Sequence, residues 1–472
     1  MTWEAVIGLE IHVHLKTRTK MFCRCAVGAL DDPNTRTCPI CLAHPGTLPV
    51  PNKRAIEMTM RLGLALGCEI AERAIFHRKN YFYPDNPKGY QISQYDEPLC
   101  LNGRLRLPGP GGGAEIGITR AHLEEDAAKT LHVGGAEGRI HGATASLIDF
   151  NRAGTPLVEI VTEPDIRTAE QARRFLQLLR QTVVELGISD AEMEKGSLRF
   201  DVNVSVRPAG ADELRTRTEL KNMNSFAFAA RGIEREIERQ VALYESGGQV
   251  EQETLHFDPN REDAPPLRSK EEAQDYRYFP EPDLVPVEPL LEWSLDELRA
   301  TLPELPAARL ERLLAAGLEL RDAEALNTEP ARVSLFESLC EAGIEPKPAA
   351  TFVLNDVTRH EVDPARVNGA ELAKVLRERD EIPREAFDAA VAASAGDDFS
   401  ADEYLQERTV ADASALDPVI DRILSENAEQ VEAYRAGKKG LLGFFVGLVM
   451  RETGGKANPK VVSERLLEKL EV

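Results

Sequence analysis

The sequence predicts an α+β protein of three parts: a sheet-rich domain with helices over residues 1–292, an all-helical domain over 293–400 and a small helical tail over 401–472. Three observations predict it. Period-two alternation of apolar and polar residues dominates the first part. Prolines at 280, 282, 286 and 289 then close it, and 3.6-residue periodicity takes over. The polar stretch AGDDFSADE (395–403) marks the last boundary.

The elements follow in order. In GLEIHVHLK (8–16), Leu9, Ile11, Val13 and Leu15 fall on one face of a strand and Glu10, His12, His14 and Lys16 on the other. NKRAIEMTMRLGLALG (52–67) is an amphipathic helix ending in Gly. PGPGGGAE (108–115) reads as a flexible hairpin tip. TAEQARRFLQLLRQTVVELG (168–187) is a second helix, with Thr168 as its N-cap. SLRFDVNVSV (197–206) alternates cleanly, with Arg199, Asp201 and Asn203 opposite Leu198, Phe200, Val202 and Val204. Ser294 and Glu297 form a capping box that opens the helical part. Near the end, GLLGFFVGLVMRE reads as a buried helix and GGKANP as the turn that ends it.

The totals bound the function. A chain of 472 residues is too long for one domain. A net charge of −22, from 57 basic and 79 acidic residues, argues against a general nucleic-acid-binding surface. Residues 435–472 run the other way, with eight basic and four acidic residues, so this stretch counts +4, which composition alone reads as an ordinary solvated helical face. No apolar run approaches a membrane span, and the N-terminus MTWEAVIGLE lacks the basic start of a signal peptide. The expected compartment is therefore the cytoplasm, where seven cysteines suggest metal binding or catalysis before disulfides.

Cys23 and Cys25 form a C-x-C pair and Cys38 and Cys41 a C-x-x-C pair, with twelve residues between the pairs. Two such pairs on two turns suit one tetrahedral Zn²⁺. A site of four thiolates is closed, so this zinc would be structural. The competing reading is four reduced, unliganded cysteines or a disulfide. Cys68 and Cys100 read as small core hydrophobes.

Carboxylates recur where they are costly. HLEED (122–126) holds Glu124, Glu125 and Asp126, and Glu159 interrupts the apolar strand TPLVEIVTEPD (155–165). A bare carboxylate there must be ion-paired, for instance to Arg152, or metal-bound. If these strands share one sheet with Glu10, His12, Arg199 and Asp201, they build a surface dense in carboxylates, suited to Mg²⁺ held with nucleotide phosphate. FHRKNYFYPDNPKGYQISQYDEP (76–98) adds four of the nine tyrosines with Arg78, Lys79 and Lys88, which could stack a base and hold phosphate. A solvated sheet face with core aromatics is the bland alternative. No Walker loop and no G-x-G-x-x-G after a strand occurs, so any nucleotide needs another architecture.

GLEIHVHLK, the four cysteines, RKNYFYPDNPKGYQISQYDEP, ITRAHLEEDAAK, DFNRAGTPLVEIVTEPD, GSLRFDVNVSVRP, TELKNMNSF and DYRYFPEPDL resemble, in order and spacing, the B subunits of the heterotrimeric aspartyl/glutamyl-tRNA amidotransferases. FFVGLVMRETGGKANPKVV (444–462) resembles their tail domain. The resemblance implies a glutamine-synthetase-like antiparallel sheet domain holding Mg²⁺ and ATP. It implies ATP-dependent phosphorylation of the side-chain carboxylate of a mischarged Asp-tRNA(Asn) or Glu-tRNA(Gln), followed by amidation with ammonia. It implies Glu10, His12, Glu125 and Glu159 as metal ligands, and only the resemblance selects Glu125 over Glu124. Lys79 would meet phosphate, with Lys88, Arg199 and Asp201 as further nucleotide contacts. The tail would grip the tRNA. An amidase-type A subunit and a small C subunit are the implied partners. His14 departs from the family pattern, in which Gln or Glu is expected, and stays outside this set.

Two other readings compete. A non-catalytic, zinc-containing RNA-binding protein would fit the cysteines and the tail but not the carboxylate-lined strands. A self-sufficient ligase would need its own glutaminase nucleophile, and neither an amidase-type loop nor a G-x-S-x-G elbow is present.

Overall fold

The computed structural model describes residues 2–28, 32–135, 142–223, 225–256, 266–269, 276–406, 413–454 and 457–470. It divides into two compact units, Met1–Ala308 and Arg309–Val472.

The first unit is built on one twelve-stranded sheet. Its strands are β1 (Trp3–His14), β2 (Glu69–Ile70), β3 (His77–Asn80), β4 (Tyr90–Ser93), β5 (Cys100–Leu107) and β6 (Ala114–Glu125). A separate hairpin, β7 (Lys129–Val133) and β8 (Ala145–Asp149), follows. The sheet then continues with β9 (Pro156–Thr162), β10 (Leu198–Pro208), β11 (Thr218–Met223), β12 (Glu253–His256), β13 (Pro266–Ser269) and β14 (Phe279–Pro280). The spatial order is β13-β12-β11-β10-β1-β9-β6-β4-β3-β14, with β5 joined to β6 and β2 to β5. All pairs are antiparallel except β11 with β12. The turn at 108–113 closes the β5–β6 hairpin, as its glycines and prolines suggest.

The alternation read in β1 is the one observed. Leu9, Ile11 and Val13 are buried, while Glu10, His12 and His14 are half-buried on the other face. The core face continues through Phe200, Val202, Val158, Ile160 and Leu123, against helices α1 (Lys53–Ala65), α2 (Ala169–Glu185) and α3 (Phe226–Glu245). Burying each such aliphatic side chain stabilises the fold by about 1.5–3 kcal/mol. A one-residue slip would exchange the two faces of β1, so the core fixes where Glu10 and His12 point. The helices start where the sequence provides caps. Asn52 accepts from the Arg54 and Ala55 amides, Thr168 from Gln171 and Ser225 from Phe228.

The first unit extends past the boundary expected at 292. After α4 (Pro289–Glu292) comes α5 (Leu295–Ala300), capped by Ser294. Leu298 sits in the sheet's core, and Trp293, Leu295, Leu302 and Leu305 pack on it. The prolines therefore end the strands without ending the domain.

The second unit is helical. Helices α6 (Pro306–Ala315), α7 (Leu320–Asn327), α8 (Pro330–Glu341), α9 (Pro346–Phe352), α10 (Gly369–Arg377) and α11 (Arg384–Ala393) supply a core running from Leu310 to Ala401. Helices α12 (Ala413–Glu426), α13 (Ala428–Arg435), α14 (Leu442–Glu452) and α15 (Pro459–Leu470) enclose another, from Leu416 to Leu470. Helix α14 buries only one face, through Phe445 and Val449. Phe444 is exposed, so the helix expected to be buried is buried on one face alone. Among the described residues no helix is long and apolar enough to cross a membrane.

Candidate active site

The polar face of the sheet gathers its charges by strand register. β1 lies between β10 and β9, so Glu10 stands opposite Asp201, and His12 stands between Arg199 and Glu159. β6 then sets His122 opposite Glu159, and β11 sets Glu219 opposite Asn203.

Two donor groups result. In the first, His12 Nε2 lies 3.2 Å from Glu159 Oε2 and 3.6 Å from Glu124 Oε1. In the second, Glu10, Asp201 and Glu219 converge, with Lys221 Nζ bonded to Asp201 and 3.5 Å from Glu219. Each group offers three ligand atoms within 4.8 Å of one another. Carboxylates with one imidazole fit a hard divalent cation such as Mg²⁺.

The electrostatics suit a cation at this face. Burial, then the charge of Glu159, pushes the Glu124 carboxyl up to about 7, against His12 and Lys79. Burial opposes charge on His12, but the hydrogen bond to Glu159 and the fields of Glu159 and Glu124 outweigh it and raise the imidazole to about 9. Burial also opposes charge on Glu159, yet His122, His12 and Lys79 hold it well below the usual carboxylate range. Burial brings His122 down to about 4. Protons thus screen these carboxylates, and a divalent cation would displace them.

The remaining expected residues divide. Lys79 is half-buried beside this group. Burial opposes its charge, but Tyr278, Glu124 and Glu159 raise it above the ordinary lysine value, and its Nζ lies 4.9 Å from the Tyr276 ring. Arg199 donates to Asp126 at 3.0 Å, and His14 and Arg152 hold the same carboxylate at 2.7 and 3.4 Å. Arg152 is therefore the partner of Asp126, while Glu159 takes His12, His122 and Arg120. Arg78 is engaged in a two-pronged pair with Glu281. Tyr95 stacks on Tyr278 at 4.2 Å, and Tyr83 is exposed.

Glu125 is set apart from the group expected to contain it. Its carboxylate bonds Lys88 and accepts from the Ile92 amide at 3.1 Å, beside a cavity of about 230 Å³. Glu124, one residue earlier and so on the other face of β6, occupies the place beside His12 and Glu159. Lys88 faces Glu125 within the same cavity wall. Sequence reasoning noted Glu124 and His122 without choosing them and passed over Glu219, Lys221 and Tyr278. Alternation in TELKNM (218–223) carries the signal for Glu219 and Lys221, and alternation in ITRAHLEE (118–125) the signal for His122 and Glu124.

The four cysteines also meet. The Sγ atoms of Cys23, Cys25, Cys38 and Cys41 lie within 4.8 Å of one another, and those of Cys38 and Cys41 are 3.8 Å apart. Zn–S bonds of about 2.3 Å in a tetrahedron require sulfurs about 3.8 Å apart, so the donor set fits such an ion. The Cys41 thiol is brought down to about 4, chiefly by the Cys23 thiol, while burial pushes Cys25 up to about 11. Cys68 and Cys100 lie in the core, as expected, and burial raises the Cys68 thiol to about 12.

A family model for the GatB/GatE catalytic domain matches residues 5–294, and one for the GatB domain matches 334–470. The B subunit of the aspartyl/glutamyl-tRNA(Asn/Gln) amidotransferase of Geotalea uraniireducens is 46% identical over the full length of both chains. The protein of the same name from Geobacter sulfurreducens is 47% identical, again over both whole chains. That of Thermobifida fusca is 48% identical over all of this chain and 94% of its own.

Proposed function

The chain belongs to the family of tRNA-dependent amidotransferase B subunits, and from that premise we propose that its sheet face is the site where a tRNA-borne carboxylate is activated by ATP and amidated. The convergence of His12, Glu124 and Glu159 beside Glu10, Asp201 and Glu219 carries this reading. Five carboxylates on one half-buried face repel one another unless cations lie among them. These two groups would hold Mg²⁺, which supplies neutralisation of the ATP phosphates when bound.

The chain's own residues supply the rest. Lys79, kept charged by its neighbours, would meet a phosphoryl oxygen, with Lys221 serving the second group. Arg199, fixed by Asp126, would orient a further phosphate oxygen. The side-chain carboxylate of Asp-tRNA(Asn) or Glu-tRNA(Gln) attacks the terminal phosphorus of ATP, and ADP leaves. Ammonia then attacks the resulting acyl phosphate, inorganic phosphate departs and an amide remains. Glu125 and Lys88 belong to this proposal as an ion pair on the other face of β6 from the acid row, and the four cysteines as a structural Zn²⁺ site.

The ammonia would come from a partner. Four cysteines are gathered in one cluster and read as metal ligands, and burial pushes the thiols of Cys68, Cys100 and Cys340 up, which argues against an activated thiol among these three. An amidase-type A subunit with a small C subunit completes the reading, in the cytoplasm. The test is amidation by the purified trimer of Asp-tRNA(Asn) and Glu-tRNA(Gln), with and without ATP and Mg²⁺. ATP-dependent product with either substrate is expected. tRNA binding without ATP turnover would favour a non-catalytic RNA-binding protein.

A further inference from the structure

Lys20 is among the largest fully buried side chains of the molecule, at 1% exposure. Its ammonium donates to the Phe150 carbonyl at 3.0 Å and to Cys41 Sγ at 3.7 Å. Among the described residues no carboxylate pairs with it, and Glu125, which lines the same cavity, is taken by Lys88. Its backbone N–H donates to the Cys25 carbonyl at 2.9 Å. One residue thus touches both halves of the four-cysteine set, the C-x-C turn through its backbone and the C-x-x-C turn through its side chain.

A buried ammonium without an opposite charge is strongly unfavourable. Four thiolates around one divalent ion leave two negative charges in formal excess, on sulfurs that crowd each other. An N–H donor aimed at one sulfur from inside the protein relieves that excess and orients the ligand. The two needs answer each other, since the loaded cluster neutralises Lys20 and Lys20 stabilises the loaded cluster.

We propose that Lys20 is a positioning residue that sets the metal affinity of the four-cysteine cluster, holding its charge against the Cys41 sulfur. This rests on reading the cluster as a Zn²⁺ site. In the full chain, Lys20→Met should weaken Zn²⁺ retention against a competing chelator about tenfold to a hundredfold. In the Co²⁺-loaded chain it should move the sulfur-to-cobalt charge-transfer band to longer wavelength, because the sulfur loses its donor. Thermal unfolding adds a reading that packing alone would not give. Lys20→Met should lower the midpoint of the loaded chain, yet leave unchanged or raise that of the chelator-stripped chain, where the buried charge has no counterpart. Lys20→Gln keeps a neutral donor. It should fall between the two, and it carries the same measurements if Lys20→Met does not fold. Unchanged Zn²⁺ affinity with an unmoved band overturns the proposal. So does failure of both variants to fold even when stripped, since the metal-free fold would then depend on Lys20. A wild-type chain that takes up neither Zn²⁺ nor Co²⁺ overturns the zinc reading itself.

Discussion

The sheet face of the first unit and the helical bundle at the end of the second both carry dense charge, and they arrange it in opposite ways. In the bundle, opposite charges close on one another at the surface. Arg465 bonds Asp417 at 2.6 and 3.1 Å, and Asp417 and Asp421 both take Lys469. On the sheet, the five acids Glu10, Glu124, Glu159, Asp201 and Glu219 share four cations, Lys79, Lys221, Arg120 and the protonated His12, and several are buried. Exposed pairs that satisfy themselves add little stability and ask for no ligand. A half-buried surplus of one sign is tolerated only where something else arrives.

The comparison also revises the tail. Residues 435–472 count +4, but the folded bundle begins at Ala413. Over 413–472, nine basic and nine acidic residues give 9 − 9 = 0. Arg465 and Lys469 are occupied by acids from α12. Any grip on RNA must therefore come from the arrangement of the remaining cations, such as Lys438 and Lys460. Lys456 lies outside the described residues.

The largest expected effect breaks the surplus. Glu124→Gln or Glu159→Gln should reduce amidation by the assembled trimer on the order of a hundredfold or more, while glutaminase activity of the partner persists. Glu125→Gln sharpens the point, because the Mg²⁺ concentration for half-maximal activity should rise less than in Glu124→Gln. A larger rise for Glu125→Gln would return it to the ligand set. Next, Cys38→Ser should remove bound zinc, read by metal analysis, and lower the unfolding midpoint of the first unit by roughly 5–10 °C. A smaller effect concerns pH in the metal-free chain. His12 binds its proton more tightly folded than unfolded, so its stabilisation is full below pH 6.5 and fades as pH rises through about 9. The stability advantage of wild type over His12→Gln, followed by thermal unfolding from pH 6 to 10, should shrink across that window. The smallest effect tests the bundle. Lys460→Glu should flatten the log–log salt dependence of tRNA binding by about one unit for a lost phosphate contact. Arg465→Glu should cost bundle stability with little change in slope.

What was legible in the sequence follows from what each signal depends on. Period-two alternation is local, so the strands and the two faces of β1 could be read directly, as could the caps at Thr168 and Ser294. The cysteine set was legible because its spacing alone brings two turns together. The same alternation sets Glu124 beside His12 and Glu159, whereas the resemblance implies Glu125, and the Mg²⁺ dependence of the two variants decides between them. The pairing of Arg152 with Asp126 rather than Glu159 was hidden, because it depends on how the loop before β9 crosses the end of β6. The compact unit runs on to Ala308, past the expected boundary at 292 and the family match that ends at 294, for a related reason. Composition changes where strands stop, whereas the core continues until its last apolar helix has docked.

The position of β1 in the sheet governs the order in which the molecule can be made. It leaves the ribosome before its partners, and these neighbours are β9 and β10, so Glu10 waits for Asp201 and His12 for Glu159. Until about residue 162 has been synthesised this strand has two open edges, and until about residue 208 it has one, and closing them means joining segments far apart in the chain. The two donor groups then mature in sequence. His12 and Glu124 gain Glu159 when β9 docks, whereas Glu10 needs β10 and afterwards β11 for Asp201 and Glu219. A nascent chain thus owns one complete acid group before the other, while the strands that complete the second are still untranslated.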